Sequence, residues 1–365
     1  MQGLYIHIPF CEELCTYCDF PKRVKMSYDY KKVYLNKLLR DLIHVLKENA
    51  FDTVYIGGGT PNFLPDEMLE AILKKIDELK QKPISEFTIE GNYNHISPSQ
   101  CAILKKYGVN RVSLGVQTLN KRLGNVINRY TDKQLLRKNV ALLRSYGINN
   151  INLDFMFGLP YQKINDVKAD LAIIKELKVP HVSYYALILE EKSVIYHQLN
   201  EGKITLPDAD LVADMYDLVI EELKQMGYHH YEISNFSFPG YESKHNLLYW
   251  SLDNYYGIGM SASSLINHTR RTESKLIKDY LENRGIIKEE LTSKELANEF
   301  FWLGLRKIDG VSIKEFKKRF AFDPFLVYDI NGLIDKGLLV YDGDYLKLTK
   351  LGLDHGNYVF CAFLT

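Results

Sequence analysis

Three of the chain's five cysteines lie in one short segment, IHIPFCEELCTYCDF, at residues 6–20. Cys11, Cys15 and Cys18 form the spacing C-x₃-C-x₂-C. Three thiols cannot all pair into disulfides, and zinc would require a fourth ligand, for which His7 in an alternating strand is a poor candidate. A [4Fe-4S] cluster has four irons, so three thiolates leave one iron open to a small molecule. The spacing alone favours a cluster, with zinc and coincidence as alternatives.

The length of the chain predicts one large α/β domain and a smaller one, and the composition is that of a globular protein. The 365 residues contain 46 Lys and Arg and 46 Asp and Glu, so the formal net charge is zero and no nucleic-acid partner is expected. The sequence has no secretory pattern and no apolar run long enough to span a bilayer, although transient membrane association is compatible with it. We therefore expect a cytoplasmic protein whose thiols stay reduced.

Short β-rich runs alternate with amphipathic helical stretches over the first 190 residues. The predicted strands are Leu4–Ile8, Thr53–Ile56, Glu86–Glu90, Arg111–Val116, Asn150–Phe155 and His181–Leu187. The predicted helices are Tyr30–Glu48, Pro65–Lys80, Pro98–Tyr107, Asp132–Tyr146 and Asn165–Leu177. This alternation implies parallel strands with helical crossovers, in an open doubly wound sheet or a partial (β/α) barrel. In both folds the functional groups gather at the carboxyl ends of the strands.

Polar or glycine-rich residues follow most of these strands at that end. The first strand runs into the cysteine segment, the second into GGGTP at 57–61, the third into EGN at 90–92 and the fourth into GVQ at 115–117. The fifth strand carries Asp154. One site shared by all of these strand ends explains the pattern most economically.

The pattern changes after residue 190. The segment GYHHYEISNFSFPGYESKHNLLYW at 227–250 is rich in aromatic residues, His and Asn. Beyond residue 290, helix-start signals and a turn at Asp342-Gly343 predict three helices and a hairpin in a winged-helix-like module. We therefore expect a β/α domain at 1–190, an extension at 191–290 and a C-terminal domain at 291–365.

The cysteine spacing after the first strand resembles the radical S-adenosylmethionine (SAM) superfamily. Longer strings, among them YIHIPFC, GGGTPNFL, RVSLGVQTLN, NLDFMFGLP, YEISNF and HNLLYW, are similar to the oxygen-independent coproporphyrinogen III oxidase family. The resemblance implies a partial (β/α)6 barrel with a C-terminal winged-helix-like α+β domain. It also implies a [4Fe-4S] cluster on the three cysteines and SAM bound to the open iron.

The resemblance implies SAM contacts at ten further positions. These are Tyr5, Tyr17, Gly58, Gly59, Thr60, Glu90, Gln117, Arg129, Asp154 and Ala186. The residue types suit the ligand, because glycines allow close backbone approach, carboxylates bind ribose hydroxyls or an ammonium group, and Arg129 can pair with a carboxylate. Cys101 and Cys361 are interpreted as packed thiols.

Two features favour the HemW haem-chaperone branch over the oxidases themselves. Phe20 stands where the oxidases have a further cysteine, and the first strand starts at residue 3 where they have a long leading segment. In HNLLYW, His245 with its aromatic neighbours is a candidate axial ligand of haem, against the alternative of a core histidine. The histidines that relatives often carry near 131 and 261 are missing, so no second haem ligand is predicted.

We therefore expect a protein that binds haem and delivers it to acceptor proteins. The alternative is an oxygen-independent coproporphyrinogen III oxidase, which decarboxylates propionates through a 5′-deoxyadenosyl radical. A nucleic-acid-linked radical SAM protein fits least, because the C-terminal module has no strong basic stripe.

Overall fold

The computed structural model describes residues 1–364. Every predicted strand and helix of the first 190 residues is present, with each end within two residues of its predicted position. The strands are β1 Gly3–Ile8, β2 Phe10–Cys11, β3 Arg23–Val24, β4 Thr53–Gly58, β5 Glu86–Asn92, β6 Arg111–Gln117, β7 Asn150–Phe157 and β8 His181–Ala186. The helices are α1 Tyr28–Glu48, α2 Asp66–Leu79, α3 Pro98–Lys106, α4 Lys121–Val126, α5 Lys133–Ser145 and α6 Ile164–Leu177.

The long strands of this half form a partial barrel. They lie side by side in chain order, β1-β4-β5-β6-β7-β8, and every neighbouring pair is parallel. A doubly wound sheet would reverse its strand order at a switch point, whereas this sheet adds each strand to the same side. The predicted partial (β/α)6 barrel is therefore confirmed.

The strands alternate between an apolar outer face and a polar inner face. In β6, Val112, Leu114 and Val116 are buried in the main apolar core, which also includes residues of the surrounding helices. The intervening Arg111 and Ser113 line the interior of the barrel. This period of two lets one strand both anchor the helices and supply polar groups to an internal site.

The extension covers both edges of the barrel sheet. Its helices are α7 Val194–Asn200, α8 Ala209–Gln225, α9 Lys244–Trp250 and α10 Ile277–Leu281. Its strands are β9 His229–Glu232, β10 Asn235–Ser237, β11 Tyr255–Ile258, β12 Ser263–Ile266, β13 Thr269–Thr272 and β14 Ile287–Glu290. Strands β10 and β9 continue the sheet antiparallel beyond β8, whereas β11 pairs parallel with β1 and leads to β12–β14. The result is one sheet of 12 strands.

The C-terminal region has its own apolar core and an α+β composition, as predicted. Its helices are α11 Ser293–Gly304, α12 Ile313–Phe320, α13 Ile330–Asp335, α14 Lys350–Asp354 and α15 Gly356–Cys361, and its strands are β15 Val311–Ser312, β16 Leu339–Tyr341 and β17 Tyr345–Leu348. Arg270 pairs with Glu299 through two hydrogen bonds of 2.8 and 2.7 Å, which ties this region to the sheet. Cys101 is buried as predicted, but Cys361 is exposed, because α15 turns it away from the core. No helix within residues 1–364 has the length and apolar character that a membrane crossing requires.

Candidate functional site

One cavity of about 610 Å³ lies inside the barrel. It extends from the cysteine segment, at the carboxyl ends of the strands, to Arg111 at the start of β6. Most of the predicted site residues line it, and these are Cys11, Cys15, Tyr17, Cys18, Gly58, Gly59, Thr60, Glu90, Gln117, Arg129, Asp154 and Ala186. Tyr5 and His245 do not line it. The structure therefore brings the strand ends together in one cavity, and their role in ligand binding stays a prediction.

The cysteine segment is held to the barrel by hydrogen bonds from α4 and its C-terminal turn. The Thr16 N–H donates to the Ile127 carbonyl at 3.1 Å, and the Asn128 side-chain amide donates to the Leu14 carbonyl at 2.7 Å. The Lys22 ammonium donates to the Cys18 carbonyl. These contacts fix the backbone, so the three thiols remain on one side of the cavity.

The donor set at this end suits an iron–sulfur cluster better than zinc. All three thiols line the cavity, although within residues 1–364 no three metal-binding side chains are already gathered around one point. The His7 ring nitrogens lie 3.0 Å from the Tyr5 hydroxyl and 3.1 Å from the Pro21 carbonyl, and burial lowers the pKa of His7 to about 4. His7 is thus engaged elsewhere and leaves three soft sulfur ligands for the metal centre.

The glycine turn after β4 packs directly against the cysteine segment. Gly58 has a φ of +110°, and a Cβ atom there would lie 2.5 Å from the His7 ring. A Cβ atom on Gly59 would lie 2.9 Å from Cys11 Sγ. A side chain at either position would push the turn away from the thiols, so the glycines create a close backbone approach to whatever the thiols bind.

Glu90, at the end of β5, is held by two donors. The Tyr55 hydroxyl donates to Oε1 at 2.6 Å and the Gly58 N–H donates to Oε2 at 3.1 Å. Burial raises the pKa of Glu90 to about 7, and these two hydrogen bonds only partly oppose that effect. The carboxyl group therefore has a fixed orientation and a protonation state that changes near neutral pH.

Asp154 on β7 sits in a polar network on the cavity wall. Its carboxylate accepts from the Asn152 amide at 2.7 Å and from the Ser113 hydroxyl at 3.2 Å. Burial raises the pKa of Asp154, whereas these hydrogen bonds favour the charged form. Each carboxylate oxygen has two lone pairs, so Asp154 keeps acceptor capacity for a ligand hydroxyl or ammonium group.

Gln117, at the end of β6, and Arg129, in the turn after α4, both line the cavity with the thiols. The Arg129 guanidinium donates to the Gly115 carbonyl at 2.7 Å and to the Asn92 side chain, and lies 3.9 Å from Cys15 Sγ. Gln117 has a φ of +62°, and its buried Oε1 has no hydrogen-bond partner. A strained residue with an unpaired polar atom in a cavity is typical of a ligand site.

The structure places His245 in the core. Its ring nitrogens lie 2.8 Å from the Thr53 hydroxyl and 2.8 Å from the Tyr249 hydroxyl, and its ring stacks on Tyr55. Burial lowers the pKa of His245 to about 3. The Tyr5 hydroxyl is hydrogen-bonded to His7, outside the cavity lining. The residues of α9 that reach the cavity are Asn246 and Trp250, on another face of the helix.

The sequence interpretation missed the deeper end of the cavity. The residues there come from the start of β6, from the extension and from the C-terminal region, and they include Arg111, Glu232, Asn235, Asn246, Trp250 and Arg306. The strings YEISNF and HNLLYW flagged four of them only as parts of longer motifs. Arg111 likewise appeared only as the first residue of RVSLGVQTLN, and nothing paired it with Arg306, because the two arginines lie 195 positions apart.

The barrel and its cysteine-lined cavity define a radical SAM protein. Accordingly, the model of the radical SAM superfamily matches residues 5–174, and the model of the HemN C-terminal domain matches residues 291–355. Membership of this superfamily implies a [4Fe-4S] cluster and SAM. The structure is also similar to that of coproporphyrinogen III oxidase (HemN) from Escherichia coli, with a TM-score of 0.86, 22% identity and coverage of 99% of this chain and 89% of that chain.

Two curated relatives identify the branch. A protein of Lactococcus lactis subsp. lactis (strain IL1403) named heme chaperone HemW is 38% identical over 100% of this chain and 97% of its own length. A protein of the same name from Bacillus subtilis (strain 168) is 37% identical over 100% of this chain and 99% of its own length. The chain belongs to the HemW family, which confirms the branch that Phe20 favoured.

Proposed function

We propose that this protein binds haem and delivers it to acceptor proteins, with a cluster and SAM held in the same barrel. The observation that carries the proposal is that the cavity continues past the predicted SAM residues into a second end, built by the extension and the C-terminal region. Relatives that match along their whole length are named heme chaperones, which supports haem as the second ligand.

At the first end, Cys11, Cys15 and Cys18 would hold the cluster. When bound, the cluster supplies a coordination site for the amino and carboxylate groups of SAM and a source of electrons. Arg129, beside Cys15, balances the negative charge of the thiolates and of a ligand carboxylate. Tyr17, Gly58, Gly59, Thr60, Gln117 and Ala186 supply the remaining wall.

The two carboxyl groups are the groups we assign to the polar part of SAM. Glu90 is oriented by Tyr55 and Gly58, and Asp154 by Asn152 and Ser113. Each keeps free lone pairs toward the cavity for ribose hydroxyls or the ammonium group. Tyr5 is hydrogen-bonded to His7, whose ring packs against Gly58 of the cavity wall, so we assign Tyr5 a positioning role.

Apolar side chains on the cavity lining are the groups we assign to the haem macrocycle. Phe20, Tyr130 and Ile188 are 65%, 56% and 70% exposed, and all three line the cavity. Large exposed apolar side chains around a cavity favour a flat apolar ligand. The ligand role of His245 remains a prediction, and it requires α9 to release Thr53 and Tyr249.

We divide these roles among three parts of the chain. Residues 1–190 form the barrel for the cluster and SAM and supply Phe20, Tyr130 and Ile188 to the haem site, whereas residues 191–290 and 291–365 close the second end of the cavity. The division predicts that changes in the last two parts alter haem binding without changing iron content.

The test is anaerobic reconstitution with iron and sulfide, followed by two parallel assays. We expect the Soret band of added haem to shift and saturate, and an apo-acceptor to take up that haem. We expect no conversion of coproporphyrinogen III. Conversion to protoporphyrinogen IX, or the absence of saturable haem binding, contradicts the proposal. A variant with all three loop cysteines replaced by Ala is the matched control for iron content.

A further inference from the structure

Several buried polar atoms at the deeper end of the cavity have no hydrogen-bond partner. They are Arg111 Nε, Glu232 Oε2, Asn235 Oδ1, Trp250 Nε1 and Arg306 Nε. Arg111, Glu232 and Asn235 are only 2%, 1% and 7% exposed. Buried polar groups are almost always paired, so five residues that line one cavity and each carry an unpaired polar atom indicate a binding site for a polar group.

The charged members of this set lie in one neighbourhood around Glu232. Burial raises the pKa of Tyr231, and the charges of Arg111 and Glu232 act on it in opposite directions. Burial likewise raises the pKa of Tyr216, on which Glu232 and Arg306 act in opposite directions. The backbone places Arg306 beside Glu232, because Glu232 forms a β-bridge with Lys307 and the Ile233 N–H donates to the Arg306 carbonyl at 3.0 Å. Arg111 lines the same cavity.

The guanidinium groups of the two arginines can donate hydrogen bonds to a bound anion. A guanidinium buried without an ion pair is costly, and a carboxylate offers the planar partner that its N–H groups fit. The Arg306 guanidinium lies over the Trp250 ring at 4.5 Å from its centre, which leaves the edge of the guanidinium and the indole N–H free. Both residues line the cavity, and each has an N–H group without a partner.

We infer that this end of the cavity is a carboxylate subsite, formed by Arg111, Arg306 and the Trp250 N–H, that binds one propionate group of haem. The inference rests on the proposed function and names the part of the ligand that is recognised here. Arg111, Arg306 and Glu232 together carry one net positive charge, which favours a ligand carboxylate over a cation. Glu232 Oε1 accepts the Ser234 N–H at 2.7 Å, so its free Oε2 and the Asn235 oxygen remain acceptors for a water that bridges to the ligand.

The test combines a change in the ligand with a change in the protein. Haem and haem dimethyl ester, whose propionates are neutral, are titrated into the reconstituted wild-type protein and into Arg306→Gln. Trp250→Phe is a second variant, because it keeps the ring under Arg306 and removes only the N–H donor. Arg137→Gln is the control, since Arg137 is exposed and pairs with Glu176 outside the cavity lining.

We expect the wild type to bind haem about tenfold to hundredfold more tightly than the ester, as one charge-assisted contact implies. Arg306→Gln should remove most of this preference and Trp250→Phe part of it, while Arg137→Gln keeps it. Equal wild-type affinity for haem and ester overturns the carboxylate subsite but leaves haem binding intact. A preference that survives in both variants overturns this location. Failure of the wild type to bind either compound overturns the proposed function itself.

Discussion

Replacement of Glu90 by Gln is expected to change how the stability of the cluster-free protein depends on pH. Burial raises the pKa of Glu90 from its usual 4.5 to about 7. Gln fits the same contacts, because its oxygen can accept from the Gly58 N–H and its amide can donate to the Tyr55 hydroxyl oxygen. The variant therefore removes the titration with little change in shape.

The sign of the effect follows from which state binds the proton more tightly. The folded state does, so the stabilising contribution of neutral Glu90 is complete below pH 4.5 and is lost as the pH rises through 7. A shift of about 2.5 pKa units corresponds to about 3.4 kcal/mol, of which about 2.5 kcal/mol falls between about pH 5 and pH 8.5. Glu90 keeps partial contact with the cavity, so screening by water makes this an upper value.

The assay is urea unfolding of both proteins at a series of pH values. The difference in unfolding free energy between wild type and Glu90→Gln should shift toward the variant by up to about 2.5 kcal/mol across that range. Other groups cancel in the difference, including Asp170, whose pKa burial also raises to about 7. A difference that stays constant with pH would refute the raised pKa of Glu90.

Three further changes test the site. Replacing any loop cysteine by Ala should abolish reconstituted iron, measured by metal analysis, whereas Cys361→Ala should not, because that thiol is exposed and far from the cavity; iron loss in Cys361→Ala would contradict the cluster assignment. Asp154→Ala should weaken SAM binding about tenfold, since a ligand hydroxyl loses its acceptor, and unchanged affinity in calorimetry argues against that contact. His245→Ala should lower stability by about 1–3 kcal/mol, because two buried hydroxyls lose their partner; an unchanged Tm with an altered Soret band would instead assign His245 to the haem iron.

The barrel could be predicted from the sequence because its signals are local. Most strands end in a polar or glycine-rich turn, and the helices repeat apolar residues at the helical period, so the order of elements is readable without knowing their partners. Parallel strands with crossovers then place all the turns at one edge. For that reason Gly59, Glu90 and Gln117 could be assigned to one site before any coordinates were known.

The deeper end could not be predicted because its residues carry no such local signal. Arg111 opens a buried strand and looks like an edge charge, and Arg306 follows an ordinary helix. Their proximity to Glu232 depends on the extension closing one edge of the barrel and the C-terminal region docking on it, where the Ile233 N–H donates to the Arg306 carbonyl at 3.0 Å. Long-range docking of this kind is invisible to periodicity.

The motif HNLLYW illustrates the same limit within one helix. Successive residues of a helix differ by about 100° in direction, so adjacent His245 and Asn246 cannot serve one surface, whereas Asn246 and Trp250, four apart, can. The sequence identifies the motif as a candidate ligand site, but it does not show which face of the helix binds the ligand. Glu86 decides this, because it accepts from the backbone N–H groups of Lys244 and His245 at 2.9 and 3.0 Å and fixes the rotation of α9. With that rotation His245 bonds to Thr53 in the core, and the tryptophan of the motif becomes the residue that faces the second end of the cavity.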